Sequence, residues 1–199
     1  MNTEDLTYPA PVHGATARLG TDERLREVLV YNGFHIVEES AVVGRGQQVF
    51  ERCADRLLDG SAHRLAGAPL RRPNGDRVTS FHAGDRVDVH PLGIGAAAAA
   101  SPCLVLCAER TDRRAEMIYG TLPGHLERGE ERFAVTMDDD GAVTVTVAAF
   151  SRPGHPLTKA AGAVGRRLQR VMSRRYVNAI GRGTGAPRIR RGRLRKPRR

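Results

Sequence analysis

From Pro156 to about Ile180 the chain carries a single apolar stripe at helical spacing: Leu157, Ala161, Val164, Leu168, Val171 or Met172, and Ile180. A one-sided helix of this length must be covered by another layer. The residues before it supply mostly strand-like runs, so the covering layer is expected to be a sheet. Pro156 suits the first helical turn, where its missing N–H costs nothing, and Gly181 is placed as a stop. Gly162 and Gly165 each cost about 1 kcal/mol relative to Ala in a helix interior, and their small size permits close approach to a sheet. Lys159, Arg166, Arg167, Arg170, Arg174 and Arg175 fill much of the remaining surface and read as a solvated face.

Upstream, residues 1–20 read as irregular, since Tyr8-Pro9-Ala10-Pro11 discourages helix. Thr21 is placed to cap a short helix through Val30, with Asp22 and Glu23 in its first turn. Phe34–Val43 reads as a strand. Gly44-Arg45-Gly46 then turns the chain into an amphipathic helix, Gln47–Leu58, with Val49, Phe50, Cys53, Ala54, Leu57 and Leu58 on one side. That Gly-Arg-Gly lacks the glycine spacing and the Lys-Ser/Thr of a phosphate loop. Residues 59–75 read as loop, and Asp76–His90 as two short strand-like runs about Ala83-Gly84. Pro91–Pro102 reads as a mobile connection, and Cys103–Glu109 as a buried strand that places Cys103 and Cys107 on one face.

Two further runs, Ala115–Thr121 and Arg132–Met137, flank the densest group of potentially chemical side chains. Pro123, Gly124 and Gly129 punctuate the connection, and His125, Glu127, Glu130 and Glu131 crowd it. Carboxylates on so short a connection are expected to be solvated, with ordinary proton affinities. Asp138-Asp139-Asp140-Gly141 is an Asp-Gly hairpin signal, followed by the β-rich Ala142–Phe150. The three aspartates lack the distal Glu of a calcium loop and are flanked by strands. No metal site or cofactor is expected, and Cys53, Cys103 and Cys107 read as reduced core residues.

Charge is unevenly distributed. Half of the 32 Lys and Arg residues lie beyond Asp140, where no acidic residue occurs; the first 140 residues carry 16 basic groups against 22 acidic, a net of −6. Residues 182–199 read as a disordered basic tail. Its Arg188, Arg190, Arg191, Arg193, Arg195, Lys196, Arg198 and Arg199 are candidates for contact with nucleic acid or an anionic surface. No apolar run approaches the roughly 18 residues of a membrane span. The acidic start, Met1-Asn-Thr-Glu-Asp-Leu6, is unlike a signal peptide, so a cytoplasmic location is the default expectation.

Strand, short helix, a meander of antiparallel strands and one long helix together predict an α+β domain over residues 21–181. In that fold a curved antiparallel sheet wraps around the terminal helix, with room for a cavity between them.

Several stretches resemble a bacterial and plant domain family of unknown function. They are Leu6-Thr-Tyr-Pro9, Gly44-Arg-Gly46 with the Phe50 helix, His63-Arg-Leu-Ala-Gly67, Tyr119-Gly-Thr-Leu-Pro-Gly-His125 with Glu127 and Gly129-Glu-Glu131, Phe150-Ser-Arg-Pro153, and Arg174-Arg-Tyr176. The resemblance covers roughly residues 6–180, and its hairpin motif is the specific part. It implies a START-like, helix-grip (SRPBCC-type) fold with a ligand cavity, and brings no assigned reaction. Two departures stand out: Asp59-Gly60-Ser61 replaces a usual Trp, and Thr21–Asn32 looks inserted.

The expected function is binding of a small, largely apolar ligand between sheet and C-terminal helix. Tyr119, His125, His63 and Arg152 are candidates for the polar groups that fix its orientation. One alternative is an enzyme using His125 and the neighbouring Glu residues as acid/base groups or metal ligands; another is association with nucleic acid or an anionic surface through the basic C-terminal tail. No nucleophile elbow, His-Glu-x-x-His motif or dinucleotide fingerprint supports the enzyme alternative, and no residue is assigned a catalytic role.

Overall fold

The structure, a computed structural model, describes residues 3, 5–90, 100–154 and 156–185, and for residues 156–166 the backbone alone. Seven antiparallel strands form one curved sheet in the order β1-β7-β6-β5-β4-β3-β2. They are β1 (His35–Arg45), β2 (Leu70–Arg71), β3 (Arg86–Val89), β4 (Ser101–Arg110), β5 (Arg114–Thr121), β6 (Glu127–Met137) and β7 (Ala142–Pro153). Helices α2 (Gln47–Leu58), α3 (Ser61–Ala66) and α4 (Pro156–Ile180) pack on one face. This is the α+β helix-grip arrangement expected from the order of elements. The side chains of Leu157, Lys159, Ala161, Val164 and Arg166, the 91–99 connection and the basic tail beyond residue 185 lie outside the described side chains or residues; Leu168, expected on the apolar stripe of α4, is exposed.

Strand alternation divides the sheet into two cores. On the helix side Met117, Phe133, Val135, Val145 and Val147 meet Phe50, Cys53 and Leu57 of α2 and Tyr176, Val177 and Ile180 of α4. The carbonyl of Ile180 accepts from Arg56 Nη1 at 3.0 Å, which satisfies part of the α4 terminus. On the outer face Leu104, Ala148 and Phe150 meet Leu6, Tyr8, Ala15, Leu19, Leu25, Leu29 and Phe34. The N-terminal segment thus serves as a cover for the outer face, with 3-10 turns at Ala10–Val12 and Ala15–Arg18 followed by α1 (Glu23–Tyr31). Asp22 caps α1, its carboxylate accepting from Leu25 N at 2.9 Å, so the helix starts one residue later than a Thr21 cap predicts.

Glu130 ties this cover down. Its buried carboxylate accepts from Tyr8 Oη at 2.8 Å, Gly14 N at 2.7 Å, Thr16 N at 2.9 Å and Thr16 Oγ1 at 2.5 Å. Gly120 lies directly opposite Glu130, and a Cβ there would sit 2.4 Å from the Tyr8 hydroxyl. Glycine is therefore required for close approach of the segment.

Three local expectations are corrected. Residues 61–66, expected as loop, form α3, entered through Gly60 at φ 72° and left through Gly67 at φ 86°. Only one of the two runs in 76–90 becomes a strand, β3, while Arg77 makes an isolated bridge to Arg71. A bulge between Val105 and Cys107 shifts the register, so Cys103 pairs with Thr121 whereas Cys107 pairs with Ile118. The extra residue places Cys103 and Cys107 on opposite faces.

Candidate functional site

The hairpin of β5 and β6 is longer than its punctuation suggests. Pairing continues to Gly120↔Glu130, and the connection shrinks to residues 122–126. Strand pairing through Gly129 permits this, because a Cβ there would fall 2.0 Å from the Phe150 carbonyl oxygen. The glutamates therefore lie on an internal strand instead of a solvated turn, and alternation sends Glu130 outward and Glu131 to the helix side.

Glu131 faces Tyr119 across the strands. The Tyr119 hydroxyl donates to Glu131 Oε2 at 2.7 Å. Burial pushes the Glu131 carboxyl up to about 7, although the tyrosine's hydrogen bond favours the ionised form. Tyr119 and Tyr176 are both raised well above the ordinary phenol value, chiefly by burial and then by the Glu131 charge. The opposite neighbour of Glu131 is Ala149 on β7. Two residues further along, Phe133 and Val147 face each other fully buried. Glu131 and Ala149 stay partly accessible despite sitting on internal strands.

His63 of α3 lies beyond Tyr119 in the dry part of the same core. Its ring is wholly buried and surrounded by Phe133 and Tyr176 at 4.9 Å and by Phe81 and Tyr119 at 6.1 Å between centroids. Neither ring nitrogen has a hydrogen-bond partner among the described residues. Burial lowers its proton affinity to about 3, so the ring is neutral near pH 7.

His125 and Arg152, the other two candidates, are elsewhere. Both line an outer-face cleft of about 660 Å³ between the N-terminal segment and the β5–β6 turn. His125 Nδ1 is 3.0 Å from both the amide nitrogen and the carbonyl oxygen of Glu127, and burial lowers its pKa to about 4. Arg152 stacks over Phe34 at 4.6 Å and donates to the Asn32 carbonyl at 3.2 Å. The structure thus joins Tyr119 with His63 and His125 with Arg152, on opposite faces of one sheet.

The crowded carboxylates do not form a single centre. Glu130 is saturated by the N-terminal segment, Glu131 belongs to Tyr119, and the Glu127 carboxyl, raised by burial, is offset by a hydrogen bond with Ser151. Among the described residues no group of three or more His, Cys, Asp or Glu side chains is placed to hold a metal ion. In the aspartate turn, Asp138 Oδ1 accepts from Ala142 N at 2.7 Å and Asp139 pairs with Arg113 at 2.5 Å. Among the described residues no helix is long and apolar enough to cross a membrane.

Glu131 and Tyr176 were legible as motif members but not as partners of Tyr119. A signal for the first existed: Tyr119 and Glu131 each lie six residues from His125 in the connection, the equal spacing that an antiparallel pair about one centre has. No comparable local signal links Tyr176 to the sheet.

Similarity to other proteins is concentrated in sequence and broad in fold. A UPF0548 protein of Deinococcus radiodurans is 48% identical over 67 residues, 32% of this chain and 34% of that one. A UPF0548 protein of Arabidopsis thaliana is 46% identical over 39 residues, 20% of this chain and 19% of that one. The matches thus span about a third of one relative's length and a fifth of the other's. The crystal structure of hypothetical protein jhp0584 from Helicobacter pylori superposes with a TM-score of 0.55 at 13% identity, over 74% of this chain and 84% of that one. At that identity the likeness concerns the fold alone. The model of a domain of unknown function, DUF1990, matches residues 17–179, and the chain belongs to that family.

Proposed function

We propose that this protein binds a small, largely apolar molecule between the helix side of the sheet and α4, with Tyr119 and Glu131 fixing its polar end. The observation that carries this reading is the partly accessible Glu131–Ala149 rung beside the dry Phe133–Val147 rung. Apolar walls with few polar groups are what such sites require. A carboxyl raised to about 7 presents a donor when protonated and an acceptor when ionised, so it suits a hydroxyl or carbonyl on the ligand.

The test uses the full chain and the neutral apolar dye Nile red, with native mass spectrometry of the purified protein alongside. Ala149→Trp fills the open rung from the sheet side. Saturable dye fluorescence, lost in Ala149→Trp while the melting transition stays cooperative, is the expected result. Undiminished uptake by that variant would place the apolar site elsewhere and defeat the reading.

A further inference from the structure

A second site lies on the opposite face. We propose that the outer-face cleft binds a phosphate-bearing small molecule, gripped by Arg128 and Arg152. These arginines are directly opposite each other on β6 and β7. Like charges in that position destabilise a sheet unless something of opposite charge lies between them. No carboxylate among the described residues is in ion-pair contact with either one. Among the described residues the one acidic side chain in the cleft lining, Asp5, is already taken by Arg86 at 2.5 Å.

The arrangement is also partly preorganised. Arg152 is held by the Phe34 ring and the Asn32 carbonyl, neither of which neutralises its charge. His125 has its Nδ1 engaged by the Glu127 backbone, which leaves Nε2 as the ring's remaining polar atom in the cleft lining. Two planar guanidinium forks and an imidazole suit the several oxygens of a phosphate better than the two of a carboxylate. The remaining wall is built from Leu6, Tyr8 and Pro123, and about 660 Å³ greatly exceeds a bare phosphate. The cleft therefore fits a phosphate monoester with a compact apolar or aromatic body. It is separated by the sheet from the Tyr119–Glu131 rung and stands independently of the function proposed there.

The experiment is an amide NMR titration of the full chain with phenyl phosphate at constant ionic strength, with acetate as comparison. Phenyl phosphate is expected to give saturable shifts at Gly124, His125 and Gly154, with acetate binding more weakly. Arg128 is exposed, so Arg128→Gln should fold normally; it is expected to weaken phenyl phosphate binding at least about tenfold. Arg128→Lys, which keeps the charge without the fork, should fall between. Saturation by the soluble ester assigns a free phosphate monoester. Shifts of the same amides only with vesicles containing phosphatidic acid would assign a lipid headgroup. Absence of both, or an affinity unchanged by Arg128→Gln, would overturn the site.

Discussion

Glu130 and Glu131 are neighbours in sequence and opposites in structure. Glu130 points to the outer face, where four donors from the N-terminal segment meet its two oxygens. Glu131 points to the helix side, where the Tyr119 hydroxyl donates to it and solvent still reaches part of the residue. The outer core is closed by a satisfied carboxylate. The helix-side core contains a partly accessible carboxyl bonded to one tyrosine, and a histidine with no partner among the described residues. Buried polar groups with full hydrogen bonding anchor structure, whereas under-satisfied ones cost stability and are retained where a ligand or water can use them.

The sharpest way to break this contrast is Glu130→Ala. It strands four donors at once and should cost on the order of 4 kcal/mol in urea unfolding. Hydrogen exchange should show Gly14, Thr16 and α1 losing protection while α2 keeps it. Equal loss in both places would mean that the two cores are one cooperative unit. Gly120→Ala attacks the same anchor sterically, by pressing a methyl group onto Tyr8 and Leu6. A cost of about 2–3 kcal/mol is expected, again by urea unfolding.

On the other face the sign reverses. Glu131 binds its proton more tightly when folded, at about 7, than when unfolded, at about 4.3. Its contribution therefore falls as pH rises from about 4 to 7, and the full penalty is present above 7. Glu131→Gln should be more stable than the parent by about 1–2 kcal/mol at pH 8, with the difference vanishing below pH 4. His63 and His125 act the other way, since lowered affinities of about 3 and 4 make the fold lose stability as pH falls through 6.5. The parent should thus show a flatter stability profile between pH 4.5 and 6.5 than Glu131→Gln, measured by thermal unfolding.

The smallest effect is expected for His63→Leu. Removing two unpartnered ring nitrogens at similar volume should raise stability by about 1 kcal/mol at pH 7, and by more below pH 6.5. A loss of stability in thermal unfolding would show that His63 has a partner in solution, and would weaken the contrast between the faces.

Much of this architecture was legible locally. The α2 stripe from Val49 to Leu58, the strand runs around Tyr119 and Phe133, and the Asp-Gly turn at 140–141 each follow from periodicity or turn chemistry acting over a few residues. The N-terminal cover was not, because residues 5–20 have little periodicity and gain their order from Glu130, more than a hundred residues away. Nor was α3, a six-residue helix set between two glycines. The bulge in β4 defeated the cysteine assignment for a related reason, since one unpaired residue reverses every face after it.

The candidate residues divide in the same way. Residue patterns a few positions long are enough to say which side chains stand at the hairpin and that an antiparallel sheet with one long helix holds them. Their company comes from the folded sheet, which bonds Tyr119 to Glu131 on one face and brings His125 and Arg152 to one cleft on the other. The physical reason is that strand alternation fixes a side only once register and bulges are set, and those depend on contacts between distant segments.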